Sequence, residues 1–504
     1  MNVNDLGQPV PVHFVPPPVA LAQKHPRGLY TLFFTEMWER FSYYGMRALL
    51  VLFMVDAVRG GMGLDDRTAT AIYGLYTSAV YLMSLPGGWL SDRLWGAQRA
   101  VWYGGIIIAL GHFTLALPWA QTFYLGLILV VVGSGILKPN MSGLVADLYP
   151  EGGARRDAGF TIFYMGVNLG AALGPMICGL LAKEMGWHWG FAAAGVGMFL
   201  GLIQFRFCRH WLGHAGLHRG NDNPLHPSQR YLLSGGILAV ALVLVAGLTG
   251  FVHFNPVLLA RGMAYVILAI AVAFFAYVFL FCELTKVEKE RVGVILVLFL
   301  TSALFWAGFE QAGSSFNLFA ERYTARYFEW FHYDVPAAWF QALGPVFIIS
   351  FAPLFAWLWV WLARRQLEPS IPVKFALGLL LLGGGFVVMA GAAKVVAHGQ
   401  HAWPTWLIAT YLIHTFGELC LSPVGLSSVT KLAPRKLVGQ MMGIWFLATS
   451  LGNLLAGLLA GEFKPETIQQ WPVMYLKIII LPAAAGVLLI LFSKPIKRLM
   501  VGVK

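Results

Sequence analysis

The chain has 504 residues, of which 58% are hydrophobic and only 12% are charged. A soluble domain carries roughly 25% charged residues, so this composition excludes a cytosolic enzyme, a disordered protein and a secreted disulfide scaffold. The apolar positions are numerous enough to fill about fourteen membrane spans of ~20 residues each. The formal net charge is +12, and its distribution along the chain decides whether it indicates nucleic-acid binding or membrane topology.

Apolar segments separated by short polar breaks predict an all-α integral membrane protein with fourteen transmembrane helices. In chain order the predicted spans are 28–58, 67–92, 99–119, 122–148, 157–184, 188–208, 231–252, 258–283, 291–322, 337–363, 372–397, 404–431, 437–461 and 471–493. Residues 1–27 contain several prolines and no long apolar run, which is typical of a disordered tail rather than a signal peptide. Residues 209–230 are polar and rich in glycine, histidine and proline, so we expect a linker there.

The lysines and arginines near the span ends predict the orientation. With the N-terminus inside, about 23 of them fall on the inner side and about 9 on the outer side. Because basic loops remain in the cytoplasm, we expect both termini to be cytoplasmic in a protein of the cell inner membrane. The positive charge is then a topological signal, and nucleic acid is not an expected partner.

A short internal repeat indicates a duplicated architecture. Gly135 and Gly143 in the fourth span have the same separation as Gly417 and Gly425 in a later span, with leucines at matching positions. A parallel duplication is typical of transporters built from two helical bundles. The expected organisation is a tail at 1–27, a six-helix bundle at 28–210, a linker with an inserted helix pair at 211–285, and a second six-helix bundle at 286–504.

The first span carries charges that lipid cannot solvate. Glu36, Glu39 and Arg40 share one helix face because they are spaced i, i+3 and i+4. The same stripe continues with Tyr43, Tyr44 and Arg47. A charge at the bilayer centre costs roughly 2.5–3.5 kcal/mol, so the stripe should line an interior cavity. The alternative is a structural ion-pair cluster at a helix end, although Arg47 has no local acid to pair with.

Other spans add charges of opposite sign in the two halves. Lys138 lies within the fourth span, and a carboxylate of the first span is its expected partner. The second half offers Glu310, one turn after Trp306, and Glu418, one turn after His414. His414 either tunes Glu418 or is a helix histidine with a backbone or water partner. A short zwitterion, with its carboxylate toward the first half and its ammonium toward the second, fits this arrangement.

Four motifs resemble those of the proton-dependent oligopeptide transporter family within the major facilitator superfamily. Residues 36–45 match the ExxERFxYYG signature of that family, and residues 163–170, FYMGVNLG, are similar to its second signature. Residues 417–426, GELCLSPVGL, resemble its tenth-span motif, and residues 88–99, GWLSDRLWGAQR, resemble the superfamily motif between spans two and three. The inserted helix pair is similar to that of bacterial members.

The resemblance implies a major facilitator fold and proton-coupled uptake of di- and tripeptides by alternating access. It implies a monomer in membrane lipid that uses the proton gradient, with no cofactor, no metal and no enzymatic activity. The implied substrate residues are Arg40, Arg47 and Lys138 for the peptide carboxylate, Glu418 for the amino group, Asn168 for the backbone, Tyr43, Tyr44, Tyr81, Tyr164, Trp306 and Trp445 for side-chain pockets, and Glu310. The implied proton-coupling residues are Glu36, Glu39, Arg40, Lys138 and Glu310.

The chain departs from the family pattern at two positions. Gly344 stands where many members have an asparagine, and Gly74 stands where animal members have a histidine. Three other readings remain: the same scaffold carrying nitrate, a drug or an amino-acid conjugate, a membrane enzyme, and a channel. The span ends lack a His/Asp/Ser or metal cluster for an enzyme, and mid-membrane charges suit alternating access better than a channel.

Overall fold

The computed structural model describes residues 24–151, 153–217, 227–330 and 332–501, and these ranges are predominantly helical. The first six helices are α1 (Arg27–Val55), α2 (Asp66–Leu94), α3 (Ala97–Leu115), α4 (Ala120–Asp147), α5 (Gly153–Met185) and α6 (Trp187–Cys208). Next come α7 (Pro227–Leu248), α8 (Pro256–Phe281), α9 (Lys286–Phe309) and α10 (Ser315–Tyr323). A two-stranded hairpin, β1 (Tyr327–Phe328) with β2 (Tyr333–Asp334), precedes α11 (Leu343–Arg364), α12 (Ile371–Ala397), α13 (Pro404–Leu432), α14 (Val438–Ala460), α15 (Trp471–Leu491) and α16 (Ser493–Leu499).

The all-α membrane class is confirmed. Ten segments within the described ranges are long and apolar enough to cross a membrane, the first being α4 and the last containing α15. Helix α1 does not meet this apolar criterion because its stripe holds Glu36, Glu39, Arg40 and Arg47. The total of fourteen spans therefore stays a prediction.

Most helix ends lie within a few residues of their predicted positions, and one predicted span is interrupted. The segment 291–322 is not one helix, because α9 ends at Phe309 and a 3-10 turn covers Glu310–Gly313 before α10 begins. Ser314 has φ −123° and ψ −94°, outside the helical region. Of the predicted tail and linker, residues 1–23 and 218–226 lie outside the described residues, while Arg209–Leu212 form a 3-10 turn.

The helices pack as two groups that meet along α2 and α14. In the first group α1 packs against α5 and α6, and α3 packs against α4; in the second α12 packs against α13 and α15. Gly74 of α2 faces Gly457 of α14, and a Cβ on Gly74 would lie 3.0 Å from the Gly457 Cα. Helices can approach this closely only where side chains are absent, so a histidine at position 74 would not fit. The proposed domain boundaries at 210/211 and 285/286 stay predictions.

The helical assembly has two ends, the α1–α2 end and the terminal end. The α1–α2 end is where α1 ends and α2 begins, and it also holds the end of α10, where Arg322 contacts Asp66. The terminal end holds the beginnings of α1 and α9 and the last described residues, where Arg291 donates to the carbonyl of Val501.

Candidate functional site

The acidic stripe of α1 forms the buried cluster that its spacing predicts. Arg40 Nε lies 2.7 Å from Glu36 Oε1 and 3.0 Å from Glu39 Oε2, and all three side chains are buried. The single Nε–H donates to Glu36, so the contact with Glu39 is electrostatic rather than a hydrogen bond. Glu39 is fully buried, with neither oxygen hydrogen-bonded among the described residues. Two carboxylates thus share one guanidinium.

Lys138 does not form the predicted ion pair. Among the described residues its ammonium has no hydrogen-bond or ion-pair partner; it lies 4.8 Å from the ring centre of Tyr43 and 4.4 Å from that of Tyr81. Ring faces attract cations, but they do not neutralise them. The ammonium is still close enough to interact electrostatically with Glu39. The ammonium lies instead over Tyr43, one turn beyond Glu39 on α1, and over Tyr81 of α2, so it approaches the same helix without reaching ion-pair distance of either acid.

Arg47 connects the two halves of the molecule. Its guanidinium forms an ion pair with Glu310, and both side chains are more than 90% buried. Its Nε also donates to the Tyr73 hydroxyl at 2.6 Å. The sequence shows that Arg47 lacks a local acid. It does not show that the partner is Glu310, because that residue lies 263 positions away. Arg47 is therefore neutralised in this conformation rather than open to a substrate carboxylate.

The interruption between α9 and α10 positions Glu310. The carboxylate belongs to the first residue of the 3-10 turn, so its backbone leaves the α9 axis at this point. A Cβ on Gly313 in the same turn would clash with the Tyr73 hydroxyl. Glycine at 313 thus lets Tyr73 reach Arg47, a role that the sequence did not indicate.

Glu418 is the counterpart of Lys138 in the second half. It is partly exposed within α13 and makes no hydrogen bond or ion pair with any described residue. It is close enough to Glu310 for their negative charges to repel, and Tyr44 and Tyr164 are within electrostatic range of it. One free acid thus faces the tyrosines of the first half.

Asn168 and Trp306 each keep a polar group without a partner among the described residues, whereas Tyr43 and Trp445 are buried by packing. The Asn168 amide donates to the Tyr164 carbonyl at 2.9 Å, which leaves the Asn168 side-chain oxygen available. Trp306 is partly buried with its indole N–H unpaired among the described residues. Tyr43, which was expected to shape a side-chain pocket, is 2% exposed and stacks on Tyr76. Trp445 is buried against Phe375 of α12.

Two further positions clarify the environment of Glu418. His414 hydrogen-bonds the Leu382 carbonyl at 3.1 Å and packs against Phe309, Phe316 and Phe386, as expected for a structural helix histidine. Gly344 of α11 faces open space, because a Cβ there would meet only the Thr415 hydroxyl, at 4.0 Å. No group of three His, Cys, Asp or Glu side chains suited to a metal ion occurs within the described ranges.

The chain is similar to peptide transporters along nearly its whole length. A model of the POT family matches residues 98–474. "Peptide transporter YePEPT" of Yersinia enterocolitica is 42% identical, with 94% of this chain and 95% of that protein covered. A "Di-/tripeptide transporter" of Lactococcus lactis subsp. cremoris is 35% identical, with 95% and 97% covered.

Solved structures agree with these sequence similarities. A crystal structure of the peptide transporter POT in complex with sulfate superposes with a TM-score of 0.87 at 40% identity, covering 95% of this chain and 96% of that one. A mutant of peptide transporter POT in complex with alafosfalin gives 0.86 at 41% identity over the same shares. A POT family transporter in complex with 5-aminolevulinic acid gives 0.85 at 33% identity, covering 94% and 97%.

Proposed function

The chain belongs to the POT family of peptide transporters, and from this premise we propose that it is a symporter that imports di- and tripeptides together with protons. One observation supports the proposal: among the described residues neither Lys138 nor Glu418 forms an ion pair or a hydrogen bond through its charged group, and the two belong to opposite halves. Tyr81 contacts Lys138 through its ring, and Tyr44 is within electrostatic range of both Tyr81 and Glu418. A peptide zwitterion would neutralise both charges at once.

Substrate binding begins at the two free charges in this proposal. The peptide carboxylate approaches Lys138, whose ring contacts leave its charge uncompensated. The peptide ammonium approaches Glu418, and the side chain of Asn168 forms a hydrogen bond with the peptide backbone. Arg40 and Arg47 take part only after they exchange their present carboxylate partners for the peptide carboxylate.

Proton coupling follows from that exchange. When the peptide carboxylate takes Arg47 from Glu310, the buried Glu310 loses its counter-charge and favours the protonated form. The same competition applies to Glu36 and Glu39, which share Arg40. Peptide binding and proton binding are then linked, because each lowers the free-energy cost of the other. Release of the Arg47–Glu310 pair also removes a connection between the two halves, as alternating access requires.

Counterflow of labelled dialanine in proteoliposomes tests the proposal. We expect exchange without a pH gradient and accumulation with an inside-alkaline gradient. Nitrate, a drug-like anion and an amino-acid conjugate, tested as competitors, address the alternative that the scaffold carries another solute. Absence of dialanine exchange, with exchange of one of the other solutes, would contradict the assigned substrate.

Variants of the α1 acids test the coupling. Glu36→Gln and Glu39→Gln should keep dialanine exchange but lose gradient-driven accumulation, because exchange needs no net proton movement. Asp157→Asn is the control. Asp157 lies near the beginning of α5, at the terminal end of the molecule, so this variant removes a carboxylate outside the site. Unchanged accumulation in both α1 variants would exclude these acids as coupling residues.

The cellular setting is part of the same proposal. We place the transporter in the cell inner membrane with both termini cytoplasmic, on the basis of the excess of Lys and Arg at the terminal end. The resemblance to the family is the basis on which we propose a monomer. In that orientation the α1–α2 end faces outward. Labelling of a cysteine introduced at the exposed Val58 by a membrane-impermeant reagent in whole cells supports this orientation; protection of that cysteine contradicts it.

A further inference from the structure

The inserted helix α8 occupies a specific place in the molecule. It packs against α2 of the first half and α14 of the second, so it covers the line where the two halves meet. Its buried residues, Ala260, Ile267, Ala271, Phe275 and Val278, form one face. The opposite face is apolar and exposed, as at Leu258 and Val266, and is suited to contact lipid tails.

A cavity of about 660 Å³ opens where α8 begins beside the beginning of α2. Its lining includes three basic side chains, Arg67, His253 and Arg261, and no acidic one. Arg261 and His253 are exposed and have no hydrogen-bond or ion-pair partner among the described residues. Arg67 has only a long contact, 3.6 Å, with the exposed Glu462. The cavity therefore concentrates positive charge that the protein itself does not neutralise.

The nearest acids at the start of α2 are already engaged. Asp65 accepts the backbone N–H of Thr68 at 3.0 Å, and Asp66 pairs with Arg322 through both carboxylate oxygens. Neither forms an ion pair with Arg261 among the described residues. An anion from outside the chain is thus the partner that these charges lack.

The apolar part of the lining identifies the kind of anion. Phe254, Val257 and Leu258 line the same cavity and continue onto the exposed face of α8. A soluble phosphate has no use for this surface, whereas a phospholipid places its phosphate at the membrane boundary and its acyl chains directly below. Helix ends that carry arginine beside apolar residues lie at this boundary.

We propose that this cavity binds the phosphate of an anionic membrane phospholipid, with the acyl chains lying along the exposed face of α8. The phosphate contacts Arg261 and Arg67, and His253 adds a hydrogen bond. The inserted pair then has a role of its own. Helix α8, which packs against both α2 and α14, binds a lipid of the surrounding leaflet beside the contact between the two halves. This role is separate from the proposed peptide site, because none of the residues that line the cavity belongs to that site.

Native mass spectrometry of the full chain tests this assignment with three probes, phosphatidylglycerol, phosphatidylcholine and soluble glycerol 3-phosphate. The wild type should retain phosphatidylglycerol in preference to phosphatidylcholine and should not retain glycerol 3-phosphate. Arg261→Gln should reduce phosphatidylglycerol retention about five-fold, the effect of one basic group at an anionic surface. Arg261→Lys should keep most of it, because the charge is preserved.

Lys394→Gln is the matched control, since Lys394 is an exposed cation at the same end but on α12. It should leave lipid retention unchanged. Equal retention of the two phospholipids, full retention by Arg261→Gln, or retention of glycerol 3-phosphate at the level of the lipid would each overturn the proposal. The unfolding midpoint of each variant is measured alongside, to separate loss of the lipid from loss of the fold. A loss of phosphatidylglycerol retention in Lys394→Gln equal to that in Arg261→Gln also counts against the proposal.

Discussion

The α1–α2 end and the terminal end of the molecule hold the two halves together in different ways. At the α1–α2 end, polar contacts join residues 28–210 to residues 286–501. They include Arg322 with Asp66 (2.6 Å), Lys183 with Asp334 (3.4 Å), Arg59 with Glu321 (3.6 Å), Arg67 with Glu462 (3.6 Å) and the Trp339 indole with the Met176 carbonyl (2.9 Å). At the terminal end, no hydrogen bond or ion pair joins these halves within the described parts of the chain.

Under the proposed alternating access, the α1–α2 end is the one whose polar contacts must separate. The described conformation is closed at the α1–α2 end, and opening it requires these pairs to separate. Their strengths should differ with burial, because exposed pairs are screened by water and buried pairs are not. Among all the ion pairs that join the two halves, including the central one, Arg47 with Glu310 is the most buried, Arg322 with Asp66 is intermediate, and Arg67 with Glu462 is the most exposed.

The distance between the two halves at the α1–α2 end can be followed directly. Spin labels at Val58 and Trp403, both exposed, are introduced into a chain whose four native cysteines are replaced. Double electron–electron resonance then gives the populations of the closed and open arrangements. The following variants are ranked by the shift expected in those populations.

Glu310→Gln should produce the largest shift. It leaves Arg47 buried without its counter-charge, which costs about 3–5 kcal/mol in buried pairs. The open population should rise more than in any other variant, and the unfolding midpoint should fall. The double variant Arg47→Gln/Glu310→Gln should recover much of that midpoint, because no unpaired charge remains. An unchanged midpoint in the single variant would show that the pair does not stabilise this conformation.

Asp66→Asn should produce the second largest shift. The Arg322 guanidinium contacts both Asp66 oxygens, at 2.6 and 2.7 Å, and the pair is partly buried. Loss of a charged bidentate contact of this kind costs about 1.5 kcal/mol, which corresponds to about a tenfold change in the open-to-closed ratio. Asp65→Asn removes the neighbouring carboxylate, which contacts only its own helix, and serves as the control.

Lys183→Met should have a smaller effect. The ammonium donates to the Asp334 carbonyl, contacts its carboxylate at 3.4 Å and lies 4.2 Å from the Tyr333 ring centre, so it attaches the hairpin to α5. The contact is half exposed, and we expect a two- to five-fold change, about 0.5–1 kcal/mol. Lys394→Met, which removes an unpaired cation on the second half, should change nothing. An equal shift in the two variants would mean that general charge, rather than this contact, is responsible.

Arg67→Gln should have the smallest effect. Its contact with Glu462 is long and both side chains are largely exposed, so less than about 0.5 kcal/mol is expected. A shift as large as that of Asp66→Asn would contradict the ranking by burial.

Local spacing predicted the α1 cluster, whereas contacts between helices were beyond the reach of the sequence. Glu36, Glu39 and Arg40 lie within one turn, so helix geometry alone brings them together. The partner of Arg47 depends on how α1 meets the turn after α9, and nothing near position 47 specifies that. The interruption at Glu310–Gly313 contains no proline, and Gly313 is one of 56 glycines, so its role was not visible.

The misassigned partner of Lys138 has the same physical origin. Charge alone favours a carboxylate, but the packing of α4 against α1 and α2 places the ammonium over Tyr43 and Tyr81. The packing of His414 against three phenylalanine rings likewise depends on neighbouring helices. The sequence predicts which segments are helices. The neighbours that each side chain contacts depend on how the helices pack together.

The most direct test of the central claim compares two ligands that differ only at the amino end. Dialanine and propionyl-alanine, which lacks the ammonium group, compete against labelled dialanine in counterflow, for the wild type and for Glu418→Gln. If Glu418 binds the peptide ammonium, the wild type should prefer dialanine by at least about tenfold, the value of one charged hydrogen bond, and Glu418→Gln should lose most of that preference. A Glu418→Gln transporter that retains the full wild-type preference would contradict the account.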